Sequence, residues 1–263
     1  MTQIKDKNVL ITGGASGIGK LMVGICLEKG ARNVIIWDLN ISSVENNPRI
    51  HPYAVNVTKN EEIVAAYADV KSKIGDVDIL INNAGIVRGN NTFENQTVQD
   101  ITLTMDVNAT APMLVALAIM PDMVKRNSGH ICNIASAAGM LGVPKLSVYC
   151  ASKWAVVGWT ESMRVELKQA RSNVKATVIA PYFINTGMFD GVESRIFPIL
   201  DPEKTSAKIL KATEKGKIFK GLPFSFHFIR CMQAILPVKL LDWIFGDLFG
   251  IYHVMDHFTG RKK

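Results

Sequence analysis

Short apolar runs rich in β-branched residues alternate with helical stretches through the first two-thirds of this chain. The apolar runs predict six strands, at residues 9–12, 34–38, 53–57, 78–82, 130–134 and 175–180. Helices between them are predicted at residues 17–30, 60–74, 97–126 and 148–171. Strands that alternate with helices form parallel sheets, because each connection must cross a face of the sheet. The pattern therefore predicts an α/β fold with one doubly wound parallel sheet and helices on both faces.

Length and composition fit a single globular unit of this kind. The chain has 263 residues, of which 48% are hydrophobic and 20% charged, and this excludes a disordered or fibrous protein. The four cysteines show no CxxC spacing, which argues against a disulfide framework or a cysteine-based zinc site and suits a reducing compartment. His253 and His257 have helical spacing, but no third ligand is evident, so we expect no metal site.

The positive charge is concentrated at the C-terminal end. The formal net charge is +7, and residues 204–263 account for all of it, with eleven Lys and Arg against four Asp and Glu. Residues 1–203 have no net charge, which argues against a nucleic-acid partner. The basic C-terminal end favours an anionic partner such as a membrane surface. The sequence shows no signal peptide, and its longest apolar runs are shorter than a spanning helix needs. We therefore expect a cytoplasmic protein, with peripheral membrane contact left open.

A glycine-rich turn follows the first predicted strand and opens the first predicted helix. Its glycines are Gly13, Gly17 and Gly19, and Ser16 and Ile18 stand between them. Glycines allow a tight turn and close backbone approach, and a helix N-terminus offers free N–H groups to a pyrophosphate. The spacing is GxxxGxG rather than the commoner GxGxxG, so a turn without a ligand remains an alternative.

An acidic residue, Asp38, ends the second predicted strand. It follows Gly19 by nineteen residues, close to the spacing at which a carboxylate binds the ribose hydroxyls of a dinucleotide. A carboxylate there repels a 2′-phosphate, and neither Leu39 nor the loop residues Ala15 and Ser16 supply a cation. This favours NAD over NADP. The alternative is an aspartate that only terminates a strand.

Several further motifs, taken with the turn, resemble the short-chain dehydrogenase/reductase family over about residues 5–190. The motifs are Thr12–Gly19, Asn82–Gly85, Asn108, Ser136, Tyr149–Lys153 and Pro181–Thr186. The resemblance implies a Rossmann-like fold, a nicotinamide cofactor and a homodimer or homotetramer. It also implies an NAD-binding and catalytic region at residues 1–200, and we expect residues 201–263 to form a helical, basic extension of the same domain.

The residues at the expected catalytic centre suit proton transfer. Tyr149 and Lys153 are four apart on one predicted helix, so their side chains share a face. A nearby ammonium favours a phenolate, so we expect Lys153 to lower the pKa of Tyr149 and make it a general base or acid. Ser136 is placed to hydrogen-bond the substrate oxygen. The resemblance implies that Asn108 holds a water in a proton relay.

The resemblance also implies a wall of residues around the cofactor. We expect Asn56 to accept a hydrogen bond from the adenine amino group, and Tyr182 replaces a glycine that is usual in the family. The complete predicted cofactor set is Gly13, Ser16, Gly17, Ile18, Gly19, Asp38, Asn56, Val57, Asn83, Ala84, Gly85, Tyr149, Lys153, Pro181, Ile184 and Thr186.

The segment Thr186–Asp190 and the C-terminal residues resemble one branch of the family, which holds retinol dehydrogenases and lipid-droplet 17-beta-hydroxysteroid dehydrogenases. This implies a lipophilic alcohol, ketone or aldehyde as substrate. Many members of that branch carry an N-terminal hydrophobic anchor, which we do not find in this sequence. The apolar residues of 238–255 meet lipid, a partner subunit or the protein's own core, and amphipathicity does not separate these alternatives. The alternative functions are an NAD-binding sensor or scaffold and a membrane-associated interaction protein, both without turnover.

Overall fold

Seven parallel strands form the centre of the molecule in the computed structural model, which describes residues 2–195 and 197–260. They are β1 (Asn8–Thr12), β2 (Asn33–Asp38), β3 (Ile50–Ala54), β4 (Ile79–Asn82), β5 (His130–Ile134), β6 (Lys175–Pro181) and β7 (Phe219–Leu222). Their order in the sheet is β3-β2-β1-β4-β5-β6-β7. Ile196 and the last three residues of the expected extension lie outside the described residues.

Helices cover the sheet on both faces. They are α1 (Gly17–Glu28), α2 (Asn60–Lys73), α3 (Val98–Met105), α4 (Ala111–Lys125), α5 (Ser147–Gln169), α6 (Pro202–Glu214), α7 (Ile229–Ile235) and α8 (Val238–Asp242). Successive strand residues point to opposite faces. Ile11 therefore packs with α1 and α6, whereas its neighbour Leu10 packs with α2, α4 and α5. The predicted Rossmann-like, doubly wound sheet is confirmed.

Two strands differ from the expectation. The third was predicted at residues 53–57 but runs from Ile50 to Ala54. It is an edge strand that pairs only with β2, and an edge tolerates Pro52, which lacks an N–H to donate. Val55 and Val57 are buried beyond its end rather than paired within it.

The seventh strand was not predicted. It lies in the C-terminal extension and pairs in parallel with β6. Its sequence, FKGL, is four residues long and contains no β-branched residue, so it carries no strand signal. The extension therefore completes the sheet before its last helices begin.

Residues 98–125 form one long helical segment, in which a π-helical turn at 106–110 joins α3 to α4. Within residues 2–195 and 197–260, this is the one helix long and apolar enough to cross a membrane by length and composition alone. The run-length argument had led us to expect none. Val115, Ile119 and Met123 of α4 are buried in the core against the sheet, as in the core helix of a globular fold.

Candidate active site

A cavity of about 270 Å³ opens at the edge of the sheet where the parallel strands have their carboxyl ends. Ligands of open α/β sheets bind at this edge. Of the predicted site residues, those that line it are Gly13, Ser16, Gly17, Ile18, Asp38, Asn56, Val57, Asn83, Ala84, Gly85, Ser136, Tyr149, Lys153, Pro181, Ile184 and Thr186. The two that do not line it are Gly19 and Asn108.

The glycine-rich turn forms one end of the cavity. Gly13 and Gly17 have φ of +66° and +54°, a region that glycine enters without steric cost. A Cβ at Gly17 would meet nothing within 4 Å, so the turn leaves open space in front of the N-terminus of α1. Ser16, the N-cap, makes no side-chain hydrogen bond to the helix. The first N–H groups of α1 are therefore free to bind an anion, which fits the pyrophosphate of a dinucleotide.

Asn83 connects this turn to β4. Its side-chain amide donates to the carbonyl oxygens of Thr12 and Gly13, at 3.0 and 3.1 Å. The hydroxyl oxygen of Thr12 accepts in return from the backbone N–H groups of Asn83 and Ala84, both at 3.0 Å. Sequence reasoning missed Thr12 as a site residue. The sequence feature that could have identified it is a hydroxyl side chain at the last position of a buried strand.

Gly19 supports the turn from behind. A Cβ there would overlap the carbonyl oxygen of Gly13 and press on the side chain of Asn83. Gly19 is buried, and it does not face the cavity. Its role in the structure is the close packing of helix on turn, rather than contact with a ligand.

Asp38, at the end of β2, and Asn56, just after β3, also line the cavity. Asp38 Oδ2 accepts from the backbone N–H of Ala15 at 3.0 Å, which fixes the carboxylate beside the loop. Asn56 Oδ1 accepts from both the N–H and the hydroxyl of Thr58, at 3.1 and 2.8 Å. Both acceptor positions of that oxygen are therefore engaged. The expected hydrogen bond from adenine to the Asn56 side-chain oxygen does not fit this geometry.

Tyr149, Lys153 and Ser136 converge in the middle of the cavity. Tyr149 and Lys153 are only 6% and 5% exposed. The ammonium nitrogen of Lys153 lies 5.7 Å from the centre of the Tyr149 ring and donates to the carbonyl oxygen of Ile134 at 3.0 Å. Ser136 Oγ lies within reach of Tyr149, and it accepts from the N–H of Ala138 at 3.2 Å.

Burial determines the electrostatics of this group. It raises the pKa of Tyr149, and a hydrogen bond from Ser136 lowers that pKa in part. Burial also lowers the pKa of Lys153 to about 8. The sequence had led us to expect Lys153 to lower the pKa of Tyr149. In the structure, Lys153 donates to a backbone carbonyl while its nitrogen stays 5.7 Å from the centre of the Tyr149 ring, and the Ser136 hydroxyl also lies 3.4 Å from the Pro181 carbonyl oxygen.

Asn108 lies in the π-helical turn, behind Lys153. Its Oδ1 accepts from the N–H of Ile86 at 2.8 Å, and its Nδ2 donates to the Ile86 carbonyl at 2.9 Å and to Ser152 Oγ at 3.2 Å. A Cβ on Gly85 would lie 3.3 Å from Asn108 Oδ1 and 3.5 Å from Lys153 Nζ. Asn108 therefore anchors the loop that follows β4, next to the lysine.

The end of the cavity beyond Tyr149 is apolar. Phe189 meets the Tyr149 ring edge to face at 5.9 Å, and it packs in the same way on Phe183 at 4.9 Å. Phe226 and Ile251 close the wall from the extension. Both lie within residues 187–255, which the sequence predicts as the wall of the substrate pocket, but nothing in the periodicity of the extension singles out these two among its apolar residues.

Tyr182 packs among the aromatic rings at this apolar end of the cavity. Its ring packs against Phe183, Phe197 and Phe226 at 4.7 to 5.7 Å between ring centres. Its hydroxyl lies 3.1 Å from Ser194 Oγ. The tyrosine found where the family usually has glycine thus ties the end of β6 to the loop above the cavity.

Comparison with known proteins identifies the class to which this fold and this site belong. A family model described as short chain dehydrogenase matches residues 7–196. The chain belongs to the short-chain dehydrogenase family, and it is an oxidoreductase of CH–OH groups that uses a nicotinamide cofactor.

Two curated relatives agree with the branch expected from the sequence. Epidermal retinol dehydrogenase 2 of Mus musculus is 37% identical over 268 residues, with 97% of this chain and 86% of the relative covered. Estradiol 17-beta-dehydrogenase 11 of Homo sapiens is 36% identical over 244 residues, with 89% and 80% covered.

Solved structures share the fold. A short-chain dehydrogenase from Burkholderia cenocepacia J2315 in complex with NADP has a TM-score of 0.81 at 26% identity, covering 92% of this chain and 98% of that one. One from Burkholderia phymatum in complex with NAD has the same TM-score at 20% identity, covering 92% and 97%. At that lower identity the likeness concerns the fold alone.

The packing of Gly19 yields a test of the turn with a control in the same helix. Gly19→Ala should lower the free energy of unfolding by about 1–3 kcal/mol, because the new methyl group displaces Gly13 or Asn83. It should also weaken NADH binding. Gly24→Ala meets open space and should stabilise α1 by up to about 1 kcal/mol. Urea unfolding and NADH fluorescence titrations measure both effects. Equal NADH binding by the two variants would contradict this account of the turn.

Proposed function

We propose that this protein is an NAD-dependent dehydrogenase/reductase that interconverts a lipophilic alcohol and its ketone or aldehyde. One observation carries the proposal. Ser136 and the buried pair Tyr149 and Lys153 lie in one cavity between a glycine-rich turn and an aromatic wall. The curated relatives are named for retinol and estradiol, which are both lipophilic alcohols.

The proposed cofactor site runs from the glycine-rich turn to Thr186. The free N–H groups at the start of α1 bind the pyrophosphate, and Asp38 binds the adenosine ribose. Val57 and the backbone of Asn56 line the adenine pocket, while Asn83, Ala84 and Gly85 lie along the dinucleotide. Pro181, Ile184 and Thr186 complete the site at its other end, beside Tyr149 and Lys153.

NAD is the proposed cofactor because of the carboxylate of Asp38. This side chain is fixed by Ala15, and the next residue, Leu39, is uncharged and 72% exposed. A 2′-phosphate would face a fixed negative charge, and none of Ala15, Ser16 and Leu39 supplies a cation to offset it.

Changing Asp38 and Leu39 should change the cofactor preference. Wild-type protein should show higher kcat/KM with NAD than with NADP, and Asp38→Ala with Leu39→Arg should reverse that order, because the repulsion is replaced by an ion pair with phosphate. Leu39→Arg alone is the matched control and should shift the preference less. Steady-state kinetics with both cofactors measure this. Wild-type turnover that is equal or faster with NADP would show the assignment to be wrong.

Tyr149 is the proposed proton-transfer residue. The nicotinamide ring, when bound, accepts or donates the hydride. The protein handles the proton: as a phenolate, Tyr149 takes the hydroxyl proton of the alcohol in oxidation, and as a neutral phenol it gives its proton to the carbonyl oxygen in reduction. Ser136 holds the substrate oxygen beside the phenol. Burial raises the pKa of Tyr149 and so favours the neutral phenol, which is the form that donates the proton in reduction.

Lys153 and Asn108 have supporting roles. We propose that Lys153 orients the nicotinamide ribose and assists proton transfer at Tyr149, from which its ammonium nitrogen lies 5.7 Å, measured to the ring centre. Asn108 holds the loop of Ile86 and Gly85 against it. Through that loop Asn108 keeps a path open between the lysine and a relay water.

Removing the phenol hydroxyl should separate binding from chemistry. Tyr149→Phe should reduce kcat by at least about 10²–10⁴-fold, because general acid–base groups contribute that much. NADH binding should stay nearly unchanged. Lys153→Ala should impair both turnover and binding. Stopped-flow turnover and fluorescence titration distinguish the steps, and near wild-type rates in Tyr149→Phe would exclude the proposed role.

The extension at residues 201–263 supplies part of the proposed substrate wall. Phe226 and Ile251 face the cavity from it, opposite Met188 and Phe189 of the loop after β6. Backbone hydrogen bonds join the two segments, from Thr259 N–H to the Asp190 carbonyl at 2.9 Å and from Glu193 N–H to the Val254 carbonyl at 3.3 Å. An apolar chamber of this kind leaves the hydroxyls of a sugar without partners and favours an alkyl or ring-rich substrate.

Phe189 should therefore matter more for the substrate than for stability. Phe189→Ala should raise KM for retinol, estradiol or a medium-chain alcohol by more than its loss of thermal stability explains. Phe249→Ala is the matched control, because Phe249 packs in the same aromatic cluster without lining the cavity. NADH absorbance across that panel of alcohols measures the effect. Turnover of small polar alcohols or sugars alone would overturn the lipophilic substrate.

The proposal also covers the oligomeric state and the location of the protein. We expect a homodimer or homotetramer, because Leu117 and Val124 on α4 and Trp154 and Val165 on α5 are exposed apolar residues, between 42% and 66% accessible. We also propose a cytoplasmic location with peripheral contact of the extension at a membrane or lipid surface, which is how a lipophilic substrate would be reached.

A further inference from the structure

The extension carries a second apolar surface, on its outside. Of the seventeen large hydrophobic side chains that are exposed in residues 2–195 and 197–260, eight lie between residues 218 and 248. Phe224 and Phe228 are 65% and 56% exposed, and Ile235, Val238 and Trp243 exceed 50%. Scattered exposed hydrophobic residues are normal, whereas a cluster of this kind marks an interaction surface.

Lysines border the two phenylalanines. Lys220 Nζ lies 5.5 Å from the centre of the Phe224 ring, and the Phe224 and Phe228 rings meet edge to face at 5.9 Å. Lys208 and Lys217 lie close enough that their charges, together with burial, lower the pKa of Lys220. We call Lys208, Lys217, Lys220, Phe224 and Phe228 the basic aromatic patch.

The lysines of this patch have no acidic partner in the part of the chain that the structure describes. Among the ion pairs formed by the described residues, none includes Lys208, Lys217 or Lys220. Like charges held together repel each other unless an anion lies between them. The patch therefore combines exposed aromatic rings with unpaired cations, which is the chemistry of proteins that bind the interface of an anionic membrane.

We propose that the basic aromatic patch docks on the surface of an anionic phospholipid bilayer. The rings of Phe224 and Phe228 enter the headgroup region, and the lysine ammonium groups pair with the anionic headgroups. The inference rests on the lipid contact proposed above for the extension, and it specifies which residues make that contact and which charge the lipid carries.

A second copy of this chain fits the patch less well. A two-fold symmetric interface places the same surface of both subunits in contact, so it would bring the lysines of one copy towards those of the other. Lysine is also depleted from protein–protein interfaces, whereas lysines and aromatic rings together characterise membrane interfaces.

The position of the patch relates docking to the active site. Residues 224–228 form one 3₁₀ turn, in which Phe226 is buried and lines the cavity while Phe224 and Phe228 face outwards. Docking through the outer rings therefore places the bilayer one side chain away from the cavity wall. A lipophilic substrate dissolved in that bilayer would lie next to the chamber that receives it.

Vesicle flotation of the full-length protein tests the proposal. Wild-type protein should float with vesicles of phosphatidylcholine and phosphatidylserine, and much less with phosphatidylcholine alone or at high salt. Lys208→Gln with Lys217→Gln should weaken binding by about 25-fold, since each lysine near an anionic surface contributes about fivefold. Phe224→Ser with Phe228→Ser should weaken it by at least about tenfold, because two exposed rings lose their apolar contact.

Matched controls are present in the chain. Lys125→Gln with Lys168→Gln removes two exposed lysines elsewhere, and Phe93→Ser with Val98→Ser removes two exposed apolar side chains elsewhere. Both controls should float like the wild type. Equal binding to both vesicle types, equal loss in patch and control variants, or no flotation would overturn the proposal. A fall in oligomer mass in the patch variants, with flotation unchanged, would assign the patch to a second copy instead.

The enzyme function is measured separately. NADH production by the wild type from a detergent-dispersed alcohol needs no vesicle. Turnover without flotation would overturn docking alone, whereas flotation without turnover of any alcohol would overturn the proposed dehydrogenase and leave docking standing.

Discussion

The amide of Asn83 holds the ends of β1 and β4 together, and the whole cavity is built around this contact. It donates to the Thr12 and Gly13 carbonyl oxygens, while the Thr12 hydroxyl accepts from the backbone that follows β4. These strands lie at the point where the strand order of the sheet reverses, so a crevice opens between the loops that leave them. Gly19 allows α1 to approach so closely that its N-terminus faces this crevice. A ligand bound there meets backbone dipoles fixed before it arrives, which limits the cost of ordering the site.

Burial favours the neutral form of both reacting groups. The phenol of Tyr149 and the ammonium of Lys153 are both nearly inaccessible, and desolvation moves each towards its neutral form. A sequence argument based on spacing alone predicts that Lys153 is the group that lowers the pKa of Tyr149. The structure adds two contacts that spacing does not reveal: Lys153 donates to the carbonyl of Ile134, and the Ser136 side chain lowers the pKa of Tyr149.

Much of the fold could be predicted because each buried strand shows its own local signal. Five of the seven strands were placed within a residue or two, and the glycine turn, Asp38 and Tyr149 all lie where their spacing put them. The errors have physical causes. β3 is an edge strand with Pro52 inside it, and β7 is too short and too poor in β-branched residues to be recognised. Phe226 and Ile251 reach the cavity only through tertiary packing, which no local pattern encodes.

The late position of β7 in the chain has a consequence for folding during synthesis. Strand β6 ends at Pro181, and the strand that covers its outer edge begins only at Phe219. Until the ribosome has released those intervening residues, the sheet presents a mostly apolar, unpaired strand to the solvent, and such an edge readily pairs with other chains. The nascent protein thus has a period in which its first six strands are made but its sheet is unfinished. Anything that slows translation between these two strands would lengthen the time for which that edge is open to aggregation or to a chaperone.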